Sequence, residues 1–170
     1  LVPKSKGVAI KGCGVDTAIY LPYANGQNTD KTIFTFVGRL LYDKGIVEFV
    51  EAAYQLKSRY DNLEFWVVGE LDNENPSMLE KHKLLKWIEK GYIVYHGFVR
   101  DVRPFIAKSH CIVLPSYREG MPRIVMEAMS MAKPVITTNT AGCRETVDAG
   151  VNGFLVDVKS TGSIVSAIKE

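Results

Sequence analysis

Short stretches that are apolar on residue after residue constrain the fold most strongly. Cys111-Ile112-Val113-Leu114 has no polar position at all, and Ile33 to Val37, Leu63 to Val68, Ile93 to Val99 and Val135 to Thr138 are dominated by β-branched and aromatic residues. A strand with one wet face alternates apolar and polar residues, so runs of this kind suit strands covered on both faces, the setting of a parallel sheet. Segments of helical period separate them: Ile46, Phe49, Val50, Ala53 and Leu56; Leu84, Leu85 and Ile88, all expected inward, within Ser77 to Lys90; and Val125, Ala128, Met129 and Ala132. Asp101 is placed to cap a short helix from Val102 to Ser109, with Pro104 tolerated in its first turn. Asn152-Gly153 predicts a tight turn into Phe154 to Val156, a hairpin-like or edge strand, and Ile164, Val165 and Ile168 start a last helix. The alternation predicts an α/β fold, a doubly wound, mainly parallel Rossmann-like sheet of about six strands. Residues 1–22 read as a linker with a first short strand, Val8 to Ile10, and residues 23–170 as the domain itself; the start lacks Met and reads as the end of something upstream.

Size and charge narrow the function. At 170 residues the chain suits one domain with a two-sided core. Its formal net charge is +2, too small a field to favour nucleic acid, so any phosphate recognition has to be local. No apolar run approaches the roughly 20 residues of a bilayer span, and the N-terminus lacks the apolar core of a signal peptide. Cys13, Cys111 and Cys143 are odd in number and widely spaced, which reads as buried small hydrophobes in a reducing cytosol. His82, His96 and His110 have no His or carboxylate four residues on, so no metal helix is expected. Trp66 and Trp87 are expected in the core.

The chemistry concentrates in two loops. In Pro115 to Met131 a buried strand end runs through a glycine turn into a helix that should open at Pro122, where a missing N–H costs nothing. The free amides of that first turn form a site for an anion. Glu119 sits on the turn and Glu127 in the second turn of the helix, whose side chains lean back toward the opening. Together they could grip a polyhydroxyl ligand; alone, each also reads as a dipole partner or a solvated surface carboxylate. Earlier, Gly38-Arg39 and Lys44-Gly45 follow the strand Ile33 to Val37, at the carboxyl end where open α/β sheets bind ligands. Gly38 permits close approach, Arg39 offers a fork of donors and Lys44 a compact cation for phosphate oxygens.

Glu119-x7-Glu127 running through Gly-Met-Pro, with Glu-Ala-Met following, resembles the donor-site signature of retaining glycosyltransferases of the GT-B fold, in family four, also called group 1. Gly38-Arg39-x4-Lys44-Gly45 resembles that family's diphosphate clamp, and Gly142-x-x-Glu145 its Gly-x-x-Glu loop, with Arg144 in place of the usual Pro. Gly14-Val15-Asp16 resembles its segment at the domain junction, with Cys13 where an Asn is common. Such enzymes have two Rossmann-like halves, the second holding a nucleotide sugar and the first the acceptor; the resemblance implies that this chain is the second half without the first. It further implies catalytic roles for Arg39 and Lys44 on the diphosphate and for Glu119 on the transferring sugar. Glu127 would accept from the ribose hydroxyls, the backbone of Gly120, Met121, Pro122 and Arg123 would complete the site with Gly38, and Phe98 and Val99 would meet the nucleobase through main chain. Glu145 reads equally well as a capping or surface carboxylate.

By the same resemblance the substrate is a nucleotide sugar, preferably a UDP-sugar, and the acceptor a glycan or lipid-linked glycan. The intact protein would act in the cytoplasm at the inner face of a membrane, peripherally attached, and the fragment alone would be inactive. No Asp-x-Asp of metal-dependent transferases is present, and no metal or other cofactor is expected. Three rivals meet counter-evidence or stay open. An NAD enzyme would need G-x-G-x-x-G, and Gly12-Cys13-Gly14 lacks the third glycine. An epimerase or phosphorylase half would use a similar cleft, and a non-catalytic nucleotide-binding module would have little reason to keep Arg39, Lys44, Glu119 and Glu127 together.

Overall fold

The structure is a computed structural model and describes residues 14–22 and 30–170. The expected strand Val8 to Ile10, Gly12, Cys13 and, of the polar stretch Asn25 to Lys31 expected as a loop, Asn25 to Thr29 lie outside the described residues. Among the described residues six strands alternate with six α-helices: β1 (Thr32–Val37), α1 (Ile46–Lys57), β2 (Leu63–Val68), α2 (Lys81–Glu89), β3 (Val94–Gly97), α3 (Arg103–Lys108), β4 (Cys111–Leu114), α4 (Arg123–Ser130), β5 (Val135–Thr138), α5 (Ala141–Arg144), β6 (Gly153–Val156) and α6 (Thr161–Lys169). The sheet order is β3-β2-β1-β4-β5-β6. Every pairing is parallel, including β5 with β6, so the last strand is an edge strand reached by a crossover and not half of a hairpin.

The apolar runs behave as two-sided burial requires. All of β4 and β5 is buried, as are five of the six residues of β1. Phe34 and Phe65 stack on neighbouring strands at 5.5 Å, and Phe49 of α1 meets Phe36 at 5.8 Å and Phe65 at 5.7 Å. Ile46, Phe49, Val50, Ala53 and Leu56 are all buried, the stripe the spacing predicts. Where β1 and β4 lie side by side, Phe34 faces Cys111 and Thr35 faces Ile112. The chain leaves β1 toward β2 and leaves β4 toward β5, on opposite sides of that pair. Right-handed crossovers then send α1 and α4 to opposite faces of the sheet, which opens a crevice between the two loops.

Several local expectations are corrected. The second helix starts at Lys81, not Ser77, because Ser77 ends a turn and Met78 to Glu80 runs on as extended chain: Tyr42 N–H donates to the Ser77 carbonyl at 2.7 Å and Leu79 N–H to the Leu40 carbonyl at 2.9 Å. Fully buried Leu79 thereby takes an inward place, and Leu85, 54 % exposed, and Ile88 face outward while Leu84 packs in. Met131 is buried in place of Ala132, which lies beyond α4 at φ 57° and is exposed. Met129, Trp66 and Trp87 are half-buried, with Met129 and Trp87 packed against the core from its margin. The strand expected over Ile93 to Val99 is limited to Val94–Gly97, and the crossing helix to Arg103–Lys108, with Val102 at its cap; Asp101 still accepts the Arg103 N–H at 3.0 Å. The tight turn before β6 occupies residues 148–152, and Gly153 is already in the strand.

Candidate functional site

The two crevice loops are bound to each other. After β1 the chain makes a 3-10 turn, Tyr42–Lys44, closed by Gly45 at φ 73°. A Cβ at Gly45 would lie 2.1 Å from the Pro115 carbonyl oxygen, so only glycine lets the first loop rest on the end of β4. From the other side, Ser116 Oγ and the Tyr117 N–H donate to the Asp43 carbonyl at 3.1 and 2.8 Å. The Asp43 carboxylate takes the Ser77 hydroxyl at 3.0 Å and the Arg118 guanidinium at 2.6 Å. Those two hydrogen bonds, Ser77 first, hold its carboxyl below the usual carboxylate range.

The cleft between the loops encloses about 420 Å³. Gly38, Arg39 and Lys44 line it from the β1 side, and Glu119, Pro122, Arg123 and Glu127 from the β4–α4 side, so the two motifs converge on one space. Lys44 Nζ lies 2.5 Å from Glu119 Oε1, with 23 % and 12 % of the two side chains exposed. Arg39 meets Asp72 at 2.7 Å, a partner the sequence did not suggest, on the loop after β2. Glu127 is only 7 % exposed, which removes the solvated-surface reading; its nearest cation is Arg123 at 3.4 Å. Burial, and after it the nearby Glu127, raises the pKa of the Tyr20 hydroxyl, whose residue lines the same cleft. Ser130 Oγ donates to the Tyr20 carbonyl at 2.6 Å, tying residues 14–22 to α4.

The helix opening differs from expectation by one residue: Pro122, with φ −72° and ψ 115°, is the N-cap and Arg123 begins α4. No side chain caps it, and the amides of Arg123 and Ile124 have no hydrogen-bond partner among the described residues. Gly142 serves packing: a Cβ there would stand 1.6 Å from the Gly120 carbonyl oxygen, so α5 lies directly on the Glu119-Gly120 turn. Glu145 is exposed and does not line the cleft. Neither do Gly120 and Met121, which form the turn itself, nor Phe98 and Val99. Phe98 is 64 % exposed, and the turn after β3 reaches the cleft through Arg100 and Val102 instead. Tyr20, Arg100, Val102 and Ile124 are lining residues that motif reading missed. Arg100, next to Val99, was the one with a visible signal, a charge beside a turn already singled out. In sum the lining carries four cations, Arg39, Lys44, Arg100 and Arg123, against two carboxylates, a balance suited to an anion. Among the described residues no three His, Cys, Asp or Glu gather as they would around a metal ion, and no helix is long and apolar enough to cross a membrane.

Fold and cleft together define a Rossmann-like domain with an anion-favouring crevice at its switch point. The chain belongs to the family of glycosyl transferases group 1, whose model matches residues 31–170. It is 30% identical over 141 residues to the capsular polysaccharide biosynthesis glycosyltransferase CapM of Staphylococcus aureus, covering 83% of this chain and 37% of that one. It is 29% identical to the UDP-Gal:alpha-D-GlcNAc-diphosphoundecaprenol alpha-1,3-galactosyltransferase of Escherichia coli, over 91% of this chain and 42% of the relative. Among solved structures it superposes on the C-terminal domain of the glycosyl transferase group 1 family protein LpcC from Francisella tularensis with a TM-score of 0.80 at 26% identity, covering 92% of this chain and 86% of that one. The chain is thus a C-terminal domain of the GT-B type, and it spans less than half the length of the curated relatives it matches.

Proposed function

We propose that this domain holds the nucleotide-sugar donor, preferably a UDP-sugar, of a retaining glycosyltransferase that transfers to a glycan or lipid-linked acceptor bound by a further domain. One observation carries the reading: Arg39 and Lys44, from the end of β1, share a single cleft with Glu119, Glu127 and the uncapped opening of α4. On donor entry the Lys44–Glu119 and Arg39–Asp72 pairs exchange for contacts to the ligand, the cations and the Arg123 and Ile124 amides taking the diphosphate. Glu119 takes the sugar hydroxyls and buried Glu127 the ribose. Charge grows on the diphosphate as its bond to the sugar breaks, and donors fixed in place beforehand favour that transition state without reorganising. On this reading no metal is needed, since the cations do its electrostatic work. The name of the Escherichia coli relative, with UDP-Gal as donor and a diphosphoundecaprenol-linked acceptor, supports the substrate classes and peripheral work at a membrane for the intact protein.

Calorimetric titration of this chain with UDP, GDP and ADP tests the reading. Heat of binding with UDP exceeding that with the other two is expected, and silence with all three overturns a preformed donor site.

A further inference from the structure

Tyr117 stands on the loop that carries Glu119, and its ring points away from the cleft into the layer of α1. Its hydroxyl donates to Glu48 Oε1 at 2.6 Å, and Lys159 Nζ sits 5.0 Å from the ring centroid. Glu48, on α1, is 9 % exposed, and its second oxygen, Oε2, is buried with no hydrogen-bond partner. A carboxylate half satisfied in the interior costs stability, and an apolar residue at that place on α1 would not. Burial first, then Glu48, keeps the Tyr117 pKa above its usual value, so the phenol retains the proton it donates. The Glu48–Tyr117 contact joins the same two segments as Lys44–Glu119, one helical turn further along the first and two residues earlier on the second. The ion pair is the link a donor would break, leaving the other, with the contacts to Asp43, to keep the loops in register.

We propose that Glu48 and Tyr117 are positioning residues that brace the β4–α4 loop against α1 and so set the separation of Lys44 and Glu119 without touching the ligand. The link to donor binding rests on the function proposed above; the brace itself does not. Hydrogen exchange and UDP calorimetry on this chain, as wild type, Tyr117→Phe and the double variant Glu48→Leu/Tyr117→Phe, test both parts. In Tyr117→Phe the amides of residues 117–120 should exchange about tenfold faster while β5 and β6 are unchanged, and UDP affinity should fall by a similar factor. The double variant removes the stranded carboxylate and should recover the unfolding midpoint, yet keep the fast loop exchange and the weak binding. Glu48→Gln, which keeps an acceptor for the phenol, should retain loop protection. Wild-type exchange in Tyr117→Phe, or recovery of loop protection or of UDP affinity together with stability in the double variant, overturns the proposal. Absence of UDP binding by the wild type would sink the donor reading, and the exchange rates would then decide on the brace alone.

Discussion

The loop that leaves β4 and the turn that leaves β3 end at the same rim of the sheet, and they are held in opposite ways. The first is pinned from every side: Ser116 and Tyr117 to the Asp43 carbonyl, Arg118 to the Asp43 carboxylate, Tyr117 to Glu48, Glu119 to Lys44, and the Gly120 carbonyl against Gly142. Among the described residues the second is tied by one main-chain hydrogen bond outside the strand pairing, Gly69 N–H to the Gly97 carbonyl at 2.8 Å, before it runs out into exposed Phe98. Charged groups that have to meet a ligand without rearranging need a rigid mount. The turn after β3 brings Arg100 and Val102 to the cleft on a looser mount.

If that contrast is right, damage to the first loop should be severe and damage to the second slight. In the intact enzyme, Lys44→Ala should lower turnover on the order of a hundredfold, about 3 kcal/mol of lost transition-state stabilisation, with the unfolding midpoint of the protein little changed. A steady-state assay at saturating donor checks it, and wild-type turnover removes Lys44 from the mechanism. Gly142→Ala drives a methyl into the Gly120 carbonyl and should cost about 1–3 kcal/mol, lowering the melting temperature of this chain by several degrees and weakening UDP binding with it. A thermal melt showing no loss would mean that α5 and the loop can part freely. A smaller effect comes from pH. The Ile33 N–H donates to His110 Nδ1 at 2.9 Å, and burial, then Lys133, lowers the His110 pKa below its ordinary 6.5, as burial does for His96. The unfolded chain therefore takes up protons first, so this stability is present in full above about pH 6.5 and is lost as the pH falls below it through the native values. Denaturant midpoints should be lower at pH 5.5 than at 7.5, and His110→Asn, which keeps an acceptor but does not titrate, should flatten the slope. Least of all, Phe98→Ala should change stability by no more than about 0.5 kcal/mol and UDP affinity by less than about threefold; a larger loss of affinity would show that the ring, not the main chain, meets the ligand.

How much of this could be read in the amino acids depends on which physics writes the signal. The sheet was legible because two-sided burial forces nearly unbroken apolar runs: β4 is apolar throughout, and β5 departs from that only at Thr137 and Thr138, whose hydroxyls donate to the Leu114 and Ser116 carbonyls. The convergence of Arg39, Lys44, Glu119 and Glu127 was legible because parallel strands put their outgoing loops on one rim. Periodicity failed at α2, where Leu85 and Ile88 match a helical stripe but Leu79 supplies the burial from extended chain. An edge helix covers too little of the sheet to bury a full stripe. Three features depended on contacts between distant segments, which spacing along the chain does not encode: Asp72 on Arg39, the Tyr20 hydroxyl beside Glu127, and Glu48 beneath Tyr117. Gly142 was noticed for its motif, while its reason, the carbonyl pressed against it, belongs to the fold.

If the opening of α4 takes the donor diphosphate as proposed, the thermal endurance of this domain becomes a function of solution content. At α6 the Ser160 hydroxyl accepts the Ser163 N–H at 3.2 Å, so that helix supplies its own terminus. At α4 no side chain does so, and on the donor reading proposed above the terminus is finished from outside, by the diphosphate. A solute that binds only the native form at one hundred times its dissociation constant adds about 2.7 kcal/mol. Melting curves recorded against nucleotide concentration would therefore double as a binding isotherm, and a cell rich in donor would hold this domain folded more firmly than a starved one.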